Sequence, residues 1–170
     1  MTSDIEEKVI LVDQNDKKIG LMPKMEAHEK GVLHRAFSVF VFNDKDELLI
    51  QQRAVHKYHS PLLWANTCCS HQRDGESNEA AAKRRLQEEM GFSCELKEKT
   101  TFIYKAHFDN GLIEHEYDHI FIGTSNQNPQ INPDEVASYQ WVTLEDLKKG
   151  IKKHPENYAA WFKIIFERVW

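Results

Sequence analysis

Two short stretches set chemistry-bearing side chains two residues apart: Cys69 and His71 in TCCSH, Glu114 and Glu116 in IEHEY. On extended backbone, residues two apart share a face, so each pair is expected to point one way. Glu114 and Glu116 would then repel unless a cation joins them. AHEKGVLHRAF adds His28 and His34, and YAAWF adds Trp161. Imidazoles together with carboxylates suit Mn2+, Zn2+ or Fe2+ better than Mg2+. This makes His28, His34, His71, Glu114 and Glu116 a candidate ligand set. Taken alone, TCCSH reads more plainly as a buried cysteine beside a surface histidine. Adjacent residues of a strand face opposite ways, so the even spacing to His71 puts Cys69 on the metal side and turns Cys68 towards the core.

Strands are needed to hold these pairs, and the patterning supplies them. KVILVD and KKIGLM flank the turn-like QNDK, which predicts an amino-terminal hairpin, and LHRAFSVFVFND and ELLIQQRA flank DKD as a second, longer one. Ser77 or Asn78 caps a helix through EAAAKRRLQEEM that Gly91 ends, with Ala82, Leu86 and Met90 as its buried stripe. TFIYKAHF and IEHEYDHIFIGT read as strands around a DNG turn, SYQWVTL as another strand, and LEDLKKGIKK and ENYAAWFKIIFERVW as helices. Strands wrapped by three helices, without a repeating βα rhythm, predict an α+β sandwich with a mixed sheet. The 170 residues suit one domain, 1–170. With 22 Lys and Arg against 27 Asp and Glu, the net charge of −5 argues against broad nucleic-acid or anionic-membrane binding. Any phosphate site is therefore local. MTSDIEEKVILVD shows no charged-then-apolar leader, and the three cysteines form no CxxC. The expected setting is the cytoplasm.

The segment from Ser70 to Phe92 resembles the Nudix box, G-x5-E-x7-R-E-U-x-E-E-x-G-U with U a bulky apolar residue. Glu76, Arg84, Leu86, Glu88, Glu89, Gly91 and Phe92 match it. Ser70 stands in place of the first glycine, and Arg85 replaces the glutamate that follows the motif arginine. In hydrolases of that superfamily the helix glutamates gather the cations that activate water. An arginine there reverses the local charge and favours holding an anion.

The wider pattern, KMEAH, HRAFSVFVFN, LLIQQRA, PLLWANTCCSHQRDGESNEAAAKRRLQEEMG, FIYKA, EHEYDHIF and YAAWF, resembles the type I isopentenyl diphosphate isomerase family. That resemblance implies a Nudix-type α/β/α sandwich with an added amino-terminal hairpin. It implies Cys69 and Glu116 as the catalytic pair with Tyr104 beside the glutamate, and Trp161 as the face that stabilises a carbocation. It assigns the divalent transition ion to His28, His34, His71, Glu114 and Glu116. One Mg2+ would sit on Glu89 and the Cys69 carbonyl and bridge to a diphosphate held by Lys24, Arg53, Lys57 and Arg85. Five residues separate His28 from His34, where the bacterial family has six. The substrate would be a small diphosphate, with no nucleic-acid or membrane partner, and the chain a monomer or weak homodimer. The Cys69 thiol can titrate near neutral pH if nearby cations lower its pKa. Two other readings stay open: a Nudix hydrolase of a nucleoside or prenyl diphosphate, favoured by Glu88 and Glu89, and a non-catalytic module that binds a diphosphate.

Overall fold

The computed structural model describes residues 7–170; the first six, part of the stretch read for a leader, lie outside the described residues. KVILV and the turn after it form the expected hairpin, β1 (Lys8–Val12) with β2 (Lys18–Pro23). The centre of the molecule is β3 (His34–Phe42), apolar on both faces because both are covered. Phe37, Val39 and Val41 pack in one core with Ala82, Leu86 and Met90 of α2 (Asn78–Met90). Phe40 packs in another with Phe162, Ile165 and Phe166 of α4 (Ala160–Val169) and Leu147 of α3 (Leu144–Lys153). Helices thus cover both faces of one mixed sheet, the α/β/α arrangement expected from the sequence.

One edge of β3 pairs in parallel with β8 (Ile113–Thr124) along its whole length, from His34 opposite Glu116 to Phe42 opposite Thr124. β7 (Leu96–His107) extends the sheet antiparallel to β8 around the DNG turn. The other edge of β3 is shared in turn by β1 at His34, β6 (Cys68–Ser70) at residues 37–39, and β4 (Glu47–Arg53) at Phe42 alone. The long hairpin expected around DKD therefore opens after a single pair. β4 leaves to pair with β9 (Val136–Thr143) and β5 (Trp64–Ala65). Polar side chains hold the resulting gap. Thr67 Oγ1 accepts from Val41 N at 2.9 Å and donates to Leu49 O at 2.6 Å, while Asn66 Nδ2 donates to Val39 O at 3.2 Å. Buried backbone groups must find partners, and Asn66 and Thr67 supply them where the ladder parts.

The described residues contain four α-helices, one more than expected. The extra one is α1 (Lys24–Lys30), preceded by Pro23 and ended by Gly31 in the left-handed region at φ 68°. Proline before and glycine after is a helix signature, but seven residues are too few for an apolar period to show. The last helix is also shorter than expected. It starts at Ala160, after a 3-10 turn at Pro155–Asn157 and a bridge between Tyr158 and Trp64. No helix among the described residues is long and apolar enough to cross a membrane.

Gly91 ends α2 at φ 73°, its N–H on Gln87 O, and a Cβ there would collide with the backbone oxygen of Gln130. Gly91→Ala combines left-handed strain with that collision. The unfolding free energy should fall by about 1–3 kcal/mol, read as a lower urea midpoint.

Candidate active site

Three adjacent strands set the site in one row. His34 on β3 and Tyr104 on β7 both stand opposite Glu116 on β8. The Tyr104 hydroxyl lies between the carboxylates, 2.5 Å from Glu114 Oε1 and in contact with Glu116 Oε1. Glu116 Oε2 is 3.1 Å from His34 Nε2 and 2.8 Å from His71 Nε2. Burial by itself would raise the Glu116 carboxyl, but the imidazoles of His34 and His71 hold it well below the usual carboxylate range. The Tyr104 phenol is pushed well above its usual range, first by burial and then by Glu114 and Glu116.

His28 reaches this row from α1, its ring centroid 5.1 Å from that of His34. The helix and the Gly31 turn absorb the shorter spacing between the two histidines. Donor atoms of His28, His34, His71 and Glu116 all lie within 4.8 Å of one another. Glu114 falls in a second group with His28 and His59, so the expected five-residue set is divided. The two carboxylates nonetheless converge on the Tyr104 hydroxyl, which bonds to both. The ring chemistry fits a metal. His28 Nδ1–H donates to Lys24 O at 2.7 Å and His34 Nδ1–H to Val32 O at 2.9 Å. His28 Nε2 is left as a lone pair facing the group, as in metal-ligating histidines whose other nitrogen is tied to a carbonyl, while His34 Nε2 lies against Glu116 Oε2. His28 Nε2 is buried without a hydrogen-bond partner. Burial, then His71 and His34, lowers His28 to about 3, which keeps it a neutral ligand.

A cavity of about 650 Å³ opens beside these residues, and Cys69, Trp161, Glu89, Lys24, Arg53, Lys57 and Arg85 all line it. Its cations are held by carboxylates and rings. Lys24 Nζ is 3.2 Å from Glu7 and sits over Tyr58, and Lys57 pairs with Glu135. Arg85 contacts Glu88 at 2.6 Å, Glu135 at 3.3 Å and Glu89 at 3.4 Å, with its Nε unpartnered. Arg53 lies 4.9 Å from the Trp161 ring and donates to His59 O.

The two cysteines face opposite ways, as the strand period predicts. Cys68 is in the core under α2, where its Sγ also donates to Glu89 Oε2 at 3.0 Å. Cys69 packs in the other core, with Tyr104 and Trp161. In the protein alone, the cationic side chains near Cys69 do not bring its thiol to neutral titration. Burial pushes its thiol up, Arg53 opposes this, and Glu89, Glu114 and Glu116 add to the rise. The motif residues outside the cavity's chemistry brace its loop: Arg84 forks onto Glu76 at 2.7 and 3.0 Å and reaches His71 O at 3.4 Å.

His59, Tyr58 and Glu135 line the same cavity and were given no role from sequence. They lie outside the strand pairs and the helix motif, so neither period points to them. The one available signal is composition, KYH beside the already suspected Lys57.

Because the folded value of His28, about 3, lies below the ordinary 6.5, its ring should stay unprotonated from pH 8 to pH 5 in metal-stripped protein. Histidine-ring NMR reads this directly. The unfolded chain binds that proton first, so the His28 contribution to stability is complete above pH 6.5 and declines as pH falls towards 3.

Comparison with known proteins bears on the family and the fold. The NUDIX domain family model matches residues 32–162. Isopentenyl-diphosphate Delta-isomerase 2 of Photorhabdus laumondii is 54% identical over 161 residues, covering 95% of this chain and 91% of that protein. Isopentenyl-diphosphate Delta-isomerase 2 of Aromatoleum aromaticum is 50% identical over 165 residues, covering 97% and 87%. Among solved structures, a Deinococcus radiodurans protein superposes with a TM-score of 0.80 at 19% identity, covering 96% of this chain and 99% of that one. A MutT protein from Methanosarcina mazei gives 0.66 at 19% identity, covering 80% and 91%. The structural likenesses speak for the fold alone. With such identity along nearly its whole length, the chain belongs to the isopentenyl-diphosphate Delta-isomerase family of NUDIX-domain proteins.

Proposed function

We propose that this chain interconverts isopentenyl diphosphate and dimethylallyl diphosphate as a single catalytic domain, supplying isoprenoid biosynthesis. The observation that carries the reading is the sharing of one cavity by the Cys69 thiol and the Glu116–Tyr104 pair, with four cationic side chains on the same walls. A diphosphate hydrolase has no use for a thiol set into the cavity with a carboxylate–phenol pair, and Arg85 occupies one of its glutamate positions.

Moving the double bond requires a proton on the terminal alkene carbon, which leaves a tertiary cation at C3. Loss of a proton from C2 then returns that C–H electron pair as the new double bond. Cys69 and Glu116 are the acid and base, exchanging roles with the direction of reaction, and Tyr104 passes protons to and from Glu116. Lys24, Arg53, Lys57 and Arg85 hold the diphosphate, for which Arg85 must share its three carboxylate partners. Trp161 offers its ring to the cation, a contribution of about 2 kcal/mol when desolvated; Arg53 already lies over that ring. When bound, Mn2+, Zn2+ or Fe2+ on the His and Glu donors would fix and polarise Glu116, and Mg2+ on Glu89 and the Cys69 carbonyl would neutralise diphosphate charge. The substrate is a small molecule, and the reaction belongs in the cytoplasm.

Purified protein given Mg2+ and isopentenyl diphosphate in deuterated water should form dimethylallyl diphosphate with deuterium in a methyl group, with phosphate and pyrophosphate release at background. Phosphate release without the isomer would establish a hydrolase instead. In the same assay Cys69→Ala should lose about a thousandfold in rate while remaining folded. Cys68→Ala should forfeit its hydrogen bond to Glu89, about 1 kcal/mol of stability, and keep most of the activity.

A further inference from the structure

His59 lies on the segment between β4 and β5, apart in sequence from every residue the family resemblance assigned to a metal. It is 3% exposed. Its ring stacks on Phe108 with centroids 4.4 Å apart at 7° and meets the edges of Tyr58 and Trp161 at 4.3 and 5.4 Å. Three aromatic neighbours fix the ring plane and so fix where its nitrogens point.

Those nitrogens are arranged as in the neighbouring histidines. Nδ1 is 3.2 Å from Ser60 Oγ, a local partner like the carbonyls that take Nδ1–H of His28 and His34. Nε2 is 2.9 Å from Glu114 Oε2, yet it is buried with no hydrogen-bond partner, because the contact lacks hydrogen-bond alignment. A lone-pair nitrogen and a carboxylate oxygen this close repel unless a cation or a proton joins them. His28 Nε2, also buried and unpartnered, completes a group in which every donor lies within 4.8 Å of the others. Donors at right angles on an ion with bonds of about 2.1 Å are about 3 Å apart, and opposed donors about 4.2 Å apart. The gaps of 2.9 Å at His59–Glu114, 2.8 Å at His71–Glu116 and 3.1 Å at His34–Glu116 all match the right-angle spacing.

The two candidate groups share His28, whose single free nitrogen can serve one ion only. We propose that His59 is a ligand of that ion, which draws the two groups together around His28 and is then enclosed by His28, His34, His59, His71, Glu114 and Glu116. This rests on the reading that these donors hold a transition metal, and it adds an imidazole to that set. It also ties the segment carrying Lys57, and Arg53 through its bond to His59 O, to the metal on β8.

Co2+-loaded full-length protein tests the proposal by NMR, since each ligating imidazole gives one exchangeable Nδ1–H resonance shifted far outside the normal range by the unpaired electrons. The wild type should show four such resonances. His59→Ala should show three and bind Co2+ at least about tenfold more weakly. Three resonances in the wild type, even with weaker binding by the variant, would make His59 only an outer neighbour of Glu114 and overturn the proposal. Failure of the wild type to take up Co2+ would instead overturn the metal reading on which it stands. The wild-type count decides the matter even if His59→Ala does not fold.

Discussion

The structure depends on the neutralisation of one buried carboxylate. Glu116 is 6% exposed and stays charged because His34, His71 and Tyr104 converge on it. An unpaired buried charge would cost several kcal/mol. The parallel register of β3 on β8 puts His34 opposite Glu116, and the antiparallel register of β7 puts Tyr104 there. A one-residue slip of either strand would turn its partner to the opposite face. Sheet register and site chemistry are therefore the same constraint.

The opening between β3 and β4 follows from the same need for a site in the middle of a sheet. If the hairpin had continued, β4 would have covered the edge of β3 where β6 now lies. Asn66 and Thr67 hold the strands apart with side-chain bonds to both backbones. β6 enters the gap, and its pleat sends Cys68 to one core and Cys69 to the other. Glu89 meets Cys68 from below while Tyr104 and Trp161 pack with Cys69, so helix α2 and the α4 side both reach one cavity.

The altered Nudix box shows how a motif can keep its framework while its chemistry changes. Ser77 caps α2 by accepting from Ala80 N, Gly91 ends it, and the Glu76–Arg84 fork pins the loop before it. These contacts are indifferent to what the cavity does. Arg85 is not: its guanidinium draws Glu88, Glu89 and Glu135 around itself and gives the cavity a cation at a position where a hydrolase would place a metal ligand.

Local periodicity determined much of this protein from sequence. The alternation in IEHEY puts Glu114 and Glu116 on one face, the TCCSH spacing separates Cys68 from Cys69, and the box spacing sets the length, cap and end of α2. These are short-range consequences of backbone geometry and are written residue by residue. The family pattern added the gathering of distant residues, which no period contains. Tertiary structure alone decided the rest. It made the DKD hairpin part after one pair, because that outcome depends on side chains of Asn66 and Thr67 more than twenty residues away from β3. It raised the Cys69 thiol, because burial and three carboxylates outweigh Arg53 only once the chain has closed. It brought His59 against Glu114, because a loop residue has no register of its own and takes its position from Phe108, Tyr58 and Trp161.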